Sequence, residues 1–380
     1  MINNTTTFLR LVRFGAAARL LIAAGGVALV NTAQAQQMYG VMYRTGSQTN
    51  GFGPKLYDVD PATGNCTNPR VINVNFCVGI AIDPAPPHTM YGLTDQLGRI
   101  NNASGVTGKN LLFTVNPADG RATRVGQLDP TRTSSTDPLA VNEGDIAFHP
   151  ITGQLWGVST RVTAARLFTI DTTTALGTLT SDVAVPPGVP SLPGTGPAFD
   201  ISAMAFNAAG ELFLLDTTYP GVTGPARLYK VDPSTAIATQ VQQWNTTVTM
   251  GTCAGMAFAP DGTLLIADGD FGSSNRLYRF DFNIGDLVLI GPTNASGNAG
   301  GTTTTWTGLA GLTFLPAEPG PACLADVVRD GVVDGTDFVA FVNSFGVGDV
   351  GIDAAADVNL DGTIDGNDFI AFINAFAAGC

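Results

Sequence analysis

The chain has 380 residues, of which 44% are hydrophobic and 13% are charged. This balance predicts that most of the chain buries a core, because disordered chains have the opposite composition, and the length suits two or three compact domains. The net charge of −13 would repel a polyanion, which argues against nucleic acid as a partner.

Residues 1–35 have the pattern of an export signal. Three arginines are their only charged residues, an apolar run covers residues 20–30, and residues 33–35 read Ala-Gln-Ala, a small-x-small cleavage site. The alternative is a membrane span, but a span needs about 20 apolar residues and this run is shorter. We therefore predict a secreted, extracellular or cell-surface protein with no transmembrane span in the mature chain.

A pattern of short strands recurs from Met38 to Pro316. Each unit begins with an apolar strand, continues with a second apolar strand, and has a third strand that ends in Asp-Pro or a related turn. A fourth short strand usually follows, and the first strands are centred near residues 80, 146, 204, 256 and 312. Four short strands in each unit predict a mainly β fold of the β-propeller type. A β-sandwich is the alternative.

The two ends of this region complement each other. Residues 311–316 have a first strand with no second or third strand after it, whereas residues 38–60 have the second and third strands without a first. Joining them makes a fifth blade and removes exposed sheet edges. We therefore predict five blades over residues 36–316, with six as the alternative if residues 127–142 or 184–199 contain a divergent unit. The repeats resemble secreted propellers of the streptogramin-lyase-like and NHL-like kind.

Three carboxylates near the first strands are the candidates for chemistry at the central channel: Glu143, Asp145 and Asp200. Five-bladed glycosidases use three carboxylates there, and glycoside hydrolysis requires a paired acid and base. The alternative, which we favour, is that these residues are loop acids or caps of strand ends. The sequence contains no Gly-x-Ser-x-Gly elbow and no phosphate-binding loop, so it leaves open whether the propeller is an enzyme.

Disulfides persist outside the cytosol, and two pairs of cysteines are placed to form them. Cys66 and Cys77 lie eleven residues apart in a loop-rich stretch and could pair. Cys323 and Cys380 bracket the last 58 residues and could close that segment as a staple. Both pairings are inferred from position alone.

The composition changes after a short linker at residues 317–322. Residues 323–380 contain ten aspartates and a single basic residue, Arg329, and they form a tandem duplication with a spacing of 31 residues. An apolar helical face follows each acidic loop, and we predict that the two faces pack together. These faces consist of residues 338, 341, 342 and 345 and of residues 369, 372, 373 and 376.

Each acidic loop has the spacing of a Ca²⁺ site. Calcium prefers six to eight oxygen ligands, and a glycine at position 6 of a twelve-residue loop permits the sharp turn. The predicted ligands of the second loop are Asp357, Asn359, Asp361, the carbonyl of Thr363, Asp365 and Asp368. Those of the first loop are Asp326, Asp330, the carbonyl of Val332, Asp334 and Asp337. Val328 replaces the third ligand of the first loop, so we predict two sites of which the first is weaker.

A duplicated loop and helix with Asp at position 12 resembles the type I dockerin module, and the Gly-Cys ending resembles a variant of it in secreted proteins. The resemblance covers residues 323–380 and implies a calcium-folded module that docks a cohesin-like receptor or surface scaffold. Loop positions 10 and 11 contact the partner in that family. They correspond here to Gly335, Thr336, Gly366 and Asn367, which differ from the family's Ser-Thr type.

The sequence thus predicts an exported propeller that is anchored or assembled through a calcium-dependent module and acts as a binding or display platform. The alternative is a propeller glycoside hydrolase or lyase of polysaccharide metabolism, delivered to carbohydrate by the same module. A third interpretation is that the C-terminal segment only stabilises the protein and has no partner.

Overall fold

The computed structural model describes most of the chain. The described residues are 19–23, 26–30, 36–42, 53–95, 110–131, 139, 141, 143–161, 164–183, 201–217, 226–244, 253–271, 275–298, 305–316, 324–328, 333–348, 350, 355–358 and 362–378. The chain divides into two compact units, Met1–Pro316 and Ala317–Cys380.

The first unit consists of short antiparallel strands. In chain order they are β1 (Arg19–Ala23), β2 (Gly26–Val30), β3 (Met38–Val41), β4 (Lys55–Val59), β5 (Cys66–Val71), β6 (Gly79–Ile82), β7 (Met90–Leu93), β8 (Leu111–Val115), β9 (Ala122–Gln127), β10 (Glu143–Phe148), β11 (Leu155–Arg161), β12 (Ala164–Ile170), β13 (Gly177–Asp182), β14 (Ile201–Phe206), β15 (Leu212–Asp216), β16 (Ala226–Val231), β17 (Ala238–Trp244), β18 (Cys253–Phe258), β19 (Leu264–Phe271), β20 (Arg276–Asp281), β21 (Asp286–Pro292), β22 (Ser296–Asn298), β23 (Thr305–Gly308) and β24 (Gly311–Phe314).

The strands form a five-bladed propeller, as the repeats predict. Blade 1 is β24-β3-β4-β5, and blades 2, 3 and 4 are β6–β9, β10–β13 and β14–β17. Blade 5 is β18–β21, extended by the hairpin β22–β23, which pairs with the end of β19. The predicted ring closure is confirmed, because Gly311 lies opposite Val41 and Phe314 lies opposite Met38. The hairpin β1–β2 lies within the predicted export signal and pairs with no other described strand.

The innermost strands β6, β10, β14, β18 and β24 contact one another around a closed circle. One apolar core fills each of the five seams between neighbouring blades. The innermost strands approach each other closely near the axis: a Cβ on Gly255 would lie 2.7 Å from the carbonyl carbon of Gly311. Only glycine lets these two strands approach so closely.

The predicted disulfide between Cys66 and Cys77 is absent, because both residues are free thiols. Cys66 packs in the seam between blades 5 and 1, whereas Cys77 packs in the seam between blades 1 and 2. The sheet of blade 1 therefore separates the two side chains. Burial raises the pKa of Cys66 to about 12 and also raises that of Cys77. Cys323 and Cys380 lie outside the described residues.

The second unit contains two helices, α1 (Gly335–Val347) and α2 (Gly366–Ala378). Phe341 of α1 stacks on Phe372 of α2, with ring centroids 4.1 Å apart and planes 4° apart, and both rings are fully buried. These two residues occupy equivalent positions of the duplication. The two helical faces therefore pack together through a pair of equivalent residues, although three predicted members of these faces are 41–44% exposed: Phe338, Val342 and Phe369.

Candidate functional site

Asp145 is the one member of the predicted carboxylate trio whose side chain the structure describes. It lies on the innermost strand β10 and is 1% exposed. Its Oδ1 accepts the N–H of Ile146 at 2.8 Å, and its Oδ2 accepts the N–H of Met204, on β14 of the next blade, at 3.1 Å. The side chain of Glu143 and the whole of Asp200 lie outside the described part of the chain.

The carboxyl group of Asp145 also contacts the blade on its other side. A Cβ on Gly79, in β6, would lie 1.9 Å from Asp145 Oδ1, so the carboxyl group occupies the space that this glycine leaves. Burial raises the pKa of Asp145 well above its ordinary value, although the two amide donors oppose the shift. Asp145 therefore links three innermost strands, in a position that favours its neutral form.

Sequence reasoning missed a buried ion pair at the edge of blade 4. Arg227 Nη1 lies 3.3 Å from Asp216 Oδ2, and the two side chains are 4% and 6% exposed. The residues lie directly opposite each other on β16 and β15, and Arg227 Nε also donates to Gln243 Oε1 at 3.1 Å. An aspartate that ends a second strand and an arginine that begins the third are the signal that could have revealed this pair.

In the second unit, the last aspartate of each acidic loop is fully buried. Asp337 Oδ1 accepts the N–H of Val328 at 3.0 Å, and its Oδ2 accepts the N–H of Asp334 at 3.0 Å. Asp368 accepts two amides of its own loop in the same way, at 2.9 and 2.8 Å. Position 12 of each loop thus fixes the backbone of the loop as well as offering a carboxylate.

The ninth residue of each loop caps the helix that follows. Asp334 accepts the N–H of Thr336 at 2.7 Å and its hydroxyl at 2.6 Å, and forms a capping box with Asp337. These hydrogen bonds lower the pKa of Asp334. Asp365 accepts the N–H of Asn367 at 2.7 Å at the equivalent position. The acidic pattern therefore has two local effects, helix capping and loop closure.

The second loop folds back onto its first aspartate. Asp357 is buried, and its Oδ2 accepts the N–H of Gly362 at 3.1 Å. Gly362 has φ of 86°, in the left-handed region that favours glycine, as the predicted sharp turn at position 6 requires.

A calcium ion suits this donor set. Buried carboxylates need a counter-charge, and residues 323–380 supply ten aspartates and one basic residue. Asp326 is half-buried and Thr363 is exposed, whereas four predicted ligands lie outside the described residues: Asp330, Val332, Asn359 and Asp361. Within the described part alone, no three His, Cys, Asp or Glu side chains converge on a metal position.

The paired loops and helices agree with a known family. Residues 324–377 match the model of the dockerin type I domain. The predicted partner-contact residues of this dockerin module are all exposed at the starts of α1 and α2: Gly335, Thr336, Gly366 and Asn367. Beside them, Val339 and Ile370 occupy equivalent positions of the duplication and are 57% and 59% exposed. The module therefore presents two similar surfaces.

Solved structures resemble the propeller only in part. A nidogen/laminin complex is 11% identical with a TM-score of 0.39, covering 73% of this chain and 98% of that chain. The periplasmic gluconolactonase of Pseudomonas aeruginosa is 13% identical with a TM-score of 0.35, covering 73% and 99%. The PQQ-bound aldose sugar dehydrogenase of Streptomyces coelicolor is 12% identical with a TM-score of 0.34, covering 72% and 98%. No curated protein matches the chain.

None of the helices in the described residues has the length and apolar character needed to cross a membrane.

Proposed function

We propose that this is a secreted or cell-surface protein in which the dockerin module binds calcium and docks a cohesin-like receptor or surface scaffold, while the propeller serves as a binding platform. The observation that carries the proposal is the duplicated loop and helix of the dockerin match. In this module the aspartate at position 12 of each loop is buried, and only one basic residue accompanies ten aspartates. Both features fit a calcium-dependent fold.

Calcium binding is the first step to test, because docking depends on it in this proposal. Calorimetry of the full chain is expected to show two sites, of which the first loop is the weaker because Val328 replaces an oxygen ligand. Asp361→Ala should lower the calcium affinity more than Asp330→Ala. Equal effects of the two variants would contradict the assignment of the stronger site.

Docking itself is tested with purified type I cohesins and with scaffold proteins of the producing cell's envelope. The full chain should bind at least one of them in calcium and lose binding in chelator. Asp361→Ala should weaken that binding, whereas Asp171→Ala, in an exposed turn of the propeller, is the matched control. Equal retention of a partner with and without chelator would refute calcium-dependent docking.

The hydrolase or lyase alternative requires carboxylates that a substrate can reach. Asp145, the described member of the trio, is 1% exposed and holds two backbone amides. This arrangement favours the binding platform over catalysis at Asp145. Turnover of a polysaccharide by the purified protein, abolished by Glu143→Gln, would reverse that preference.

A further inference from the structure

A cavity lies at the channel end where the innermost strands finish. It has a volume of about 190 Å³, and all five innermost strands line it. Asp145 joins three of these strands nearer their starts, so the cavity lies between its carboxyl group and the end of the channel.

The wall of this pocket carries backbone hydrogen-bonding groups. Each innermost strand pairs on one edge only, so its other edge faces the channel. In blade 4, the N–H of Asn207 donates to the carbonyl of Glu211 on the paired side. Because antiparallel strands alternate these directions at every residue, Phe206 and Met204 turn their N–H and C=O groups toward the channel. The hydrogen bond from the Met204 N–H to Asp145 confirms this direction.

The same orientation recurs in the other four blades. The residue after each innermost strand donates its N–H to the second strand of its own blade, as seen at Asp83, His149, Ala259 and Leu315. The strand-end residues before them therefore direct peptide groups into the pocket: Ile82, Phe148, Phe258 and Phe314. In blade 2, the N–H of Ile82 donates to Thr313 Oγ1 on the neighbouring innermost strand β24, at 3.3 Å. The pocket thus has donors and acceptors at one level around its axis.

The side chains of the pocket select against charge. The lining residues include four phenylalanines at the strand ends and two prolines, and the hydroxyl of Thr313 is the single polar side-chain group among them. An ion would lose its hydration there without a counter-charge. A neutral ring with hydroxyl groups suits the site, because its hydroxyls can pair with the peptide groups while its C–H faces contact the apolar lining.

We propose that this pocket binds a neutral polyhydroxylated ring of monosaccharide size, held by the peptide groups of the five innermost strands. The proposal names a ligand class for the propeller and rests on its proposed role as a binding platform. It does not depend on the dockerin module, so binding in the pocket should persist in chelator.

Saturation-transfer NMR of the full chain with methyl glycosides of glucose, galactose and xylose tests the proposal, with glucuronate as the charged comparison. At least one neutral glycoside should bind in both calcium and chelator, and glucuronate should not compete. Ala147→Phe fills the pocket from its partly exposed wall and should weaken binding by at least about tenfold. Ala62→Phe, in an exposed outer turn, is the matched control and should bind normally.

Thr313→Val covers the case in which Ala147→Phe unfolds the protein. It keeps the side-chain shape, removes the hydroxyl from the pocket wall, and should weaken glycoside binding severalfold. The proposal is overturned if no neutral glycoside binds, so that water alone fills the pocket, or if binding survives in folded Ala147→Phe. Loss of cohesin binding with intact glycoside binding would instead count against the docking role alone.

Discussion

The buried carboxyl group of Asp145 should make the stability of the propeller depend on pH in an unusual direction. The perturbation that isolates it is Asp145→Asn, which keeps the size of the side chain and cannot ionise. Burial raises the pKa of Asp145 in the folded protein, whereas in the unfolded chain the group titrates near 3.9. The folded state therefore holds the proton over a pH range in which the unfolded state has lost it.

The sign and size of the effect follow from this difference. The stabilisation from protonated Asp145 is fully present below pH ~4 and is lost as the pH rises through the raised pKa, at up to about 1.4 kcal/mol per pH unit. Asp145→Asn places an NH₂ group against one of the two amide donors, which costs about 1–3 kcal/mol at every pH. The wild type should therefore be more stable than the variant at pH 4.5, and its advantage should shrink as the pH rises.

Urea unfolding from pH 4.5 to 8.5, followed by tryptophan fluorescence, measures this difference. All three tryptophans lie between residues 36 and 316, so the signal reports on the propeller and not on the dockerin module. Other titrating groups cancel when the variant is subtracted from the wild type at each pH. A difference in unfolding free energy that stays constant, or grows with pH, would show that Asp145 is ionised in the folded protein, contrary to this prediction.

Three further changes test other contacts. Gly79→Ala should destabilise the propeller by about 1–3 kcal/mol, because its Cβ would meet the carboxyl group of Asp145. Urea unfolding should show that Gly79→Ala costs less free energy of unfolding when Asp145→Ala is also present. An equal cost in both backgrounds would exclude that contact as the cause. Ser344→Ala removes a buried hydroxyl that accepts the N–H of Ala356 at 2.9 Å, so the α1–α2 unit should lose about 1–3 kcal/mol of unfolding free energy. Thermal unfolding followed by circular dichroism at 222 nm measures this loss, and an unchanged melting curve would contradict it. Cys66 and Cys77 should resist alkylation in the folded protein and should both react after unfolding without reductant; mass spectrometry that finds them linked would contradict the structure.

The blades could be predicted because each strand repeats a local pattern. In Leu228 to Val231, only Lys230 is exposed before the turn, and four other third strands have the same order of residue types. The incomplete units at residues 38–60 and 311–316 even specified how the ring closes, since each has only the strands that the other lacks. Local periodicity and pairing requirements were sufficient at these positions.

Features that depend on contacts between blades could not be predicted. The hairpin β22–β23 has no counterpart among the described strands of the other units, so no repeat revealed it. Cys66 and Cys77 are close in sequence, but blade 1 separates their side chains. Asp145 looked like a loop acid or a strand cap, and only the approach of Gly79 and Met204 shows that it is enclosed. Spacing along the chain carries no information about which side chains meet across a seam.

In the dockerin module, the sequence predicted the loops from the residue types that calcium requires, and the structure adds a second reason for the same residues. Asp334 and Asp337 form the capping box of α1, so removing either carboxylate affects the helix as well as a predicted calcium ligand. The loop pattern alone could not separate these two roles, because capping and coordination both select short acidic side chains.

The two faces of the propeller differ in a way that bears on where binding specificity resides. At the face where the first and third strands end, the connections between successive strands of a blade have four to seven residues. At the opposite face, the connections between successive strands of blades 1 to 5 range from two to eighteen residues. Uniform short turns leave the shape of the pocket to the five innermost strands, so we expect that pocket to bind what a ring of peptide groups accepts. Connections of unequal length give each blade a different edge at the other face, so a large partner of the propeller should distinguish its blades there.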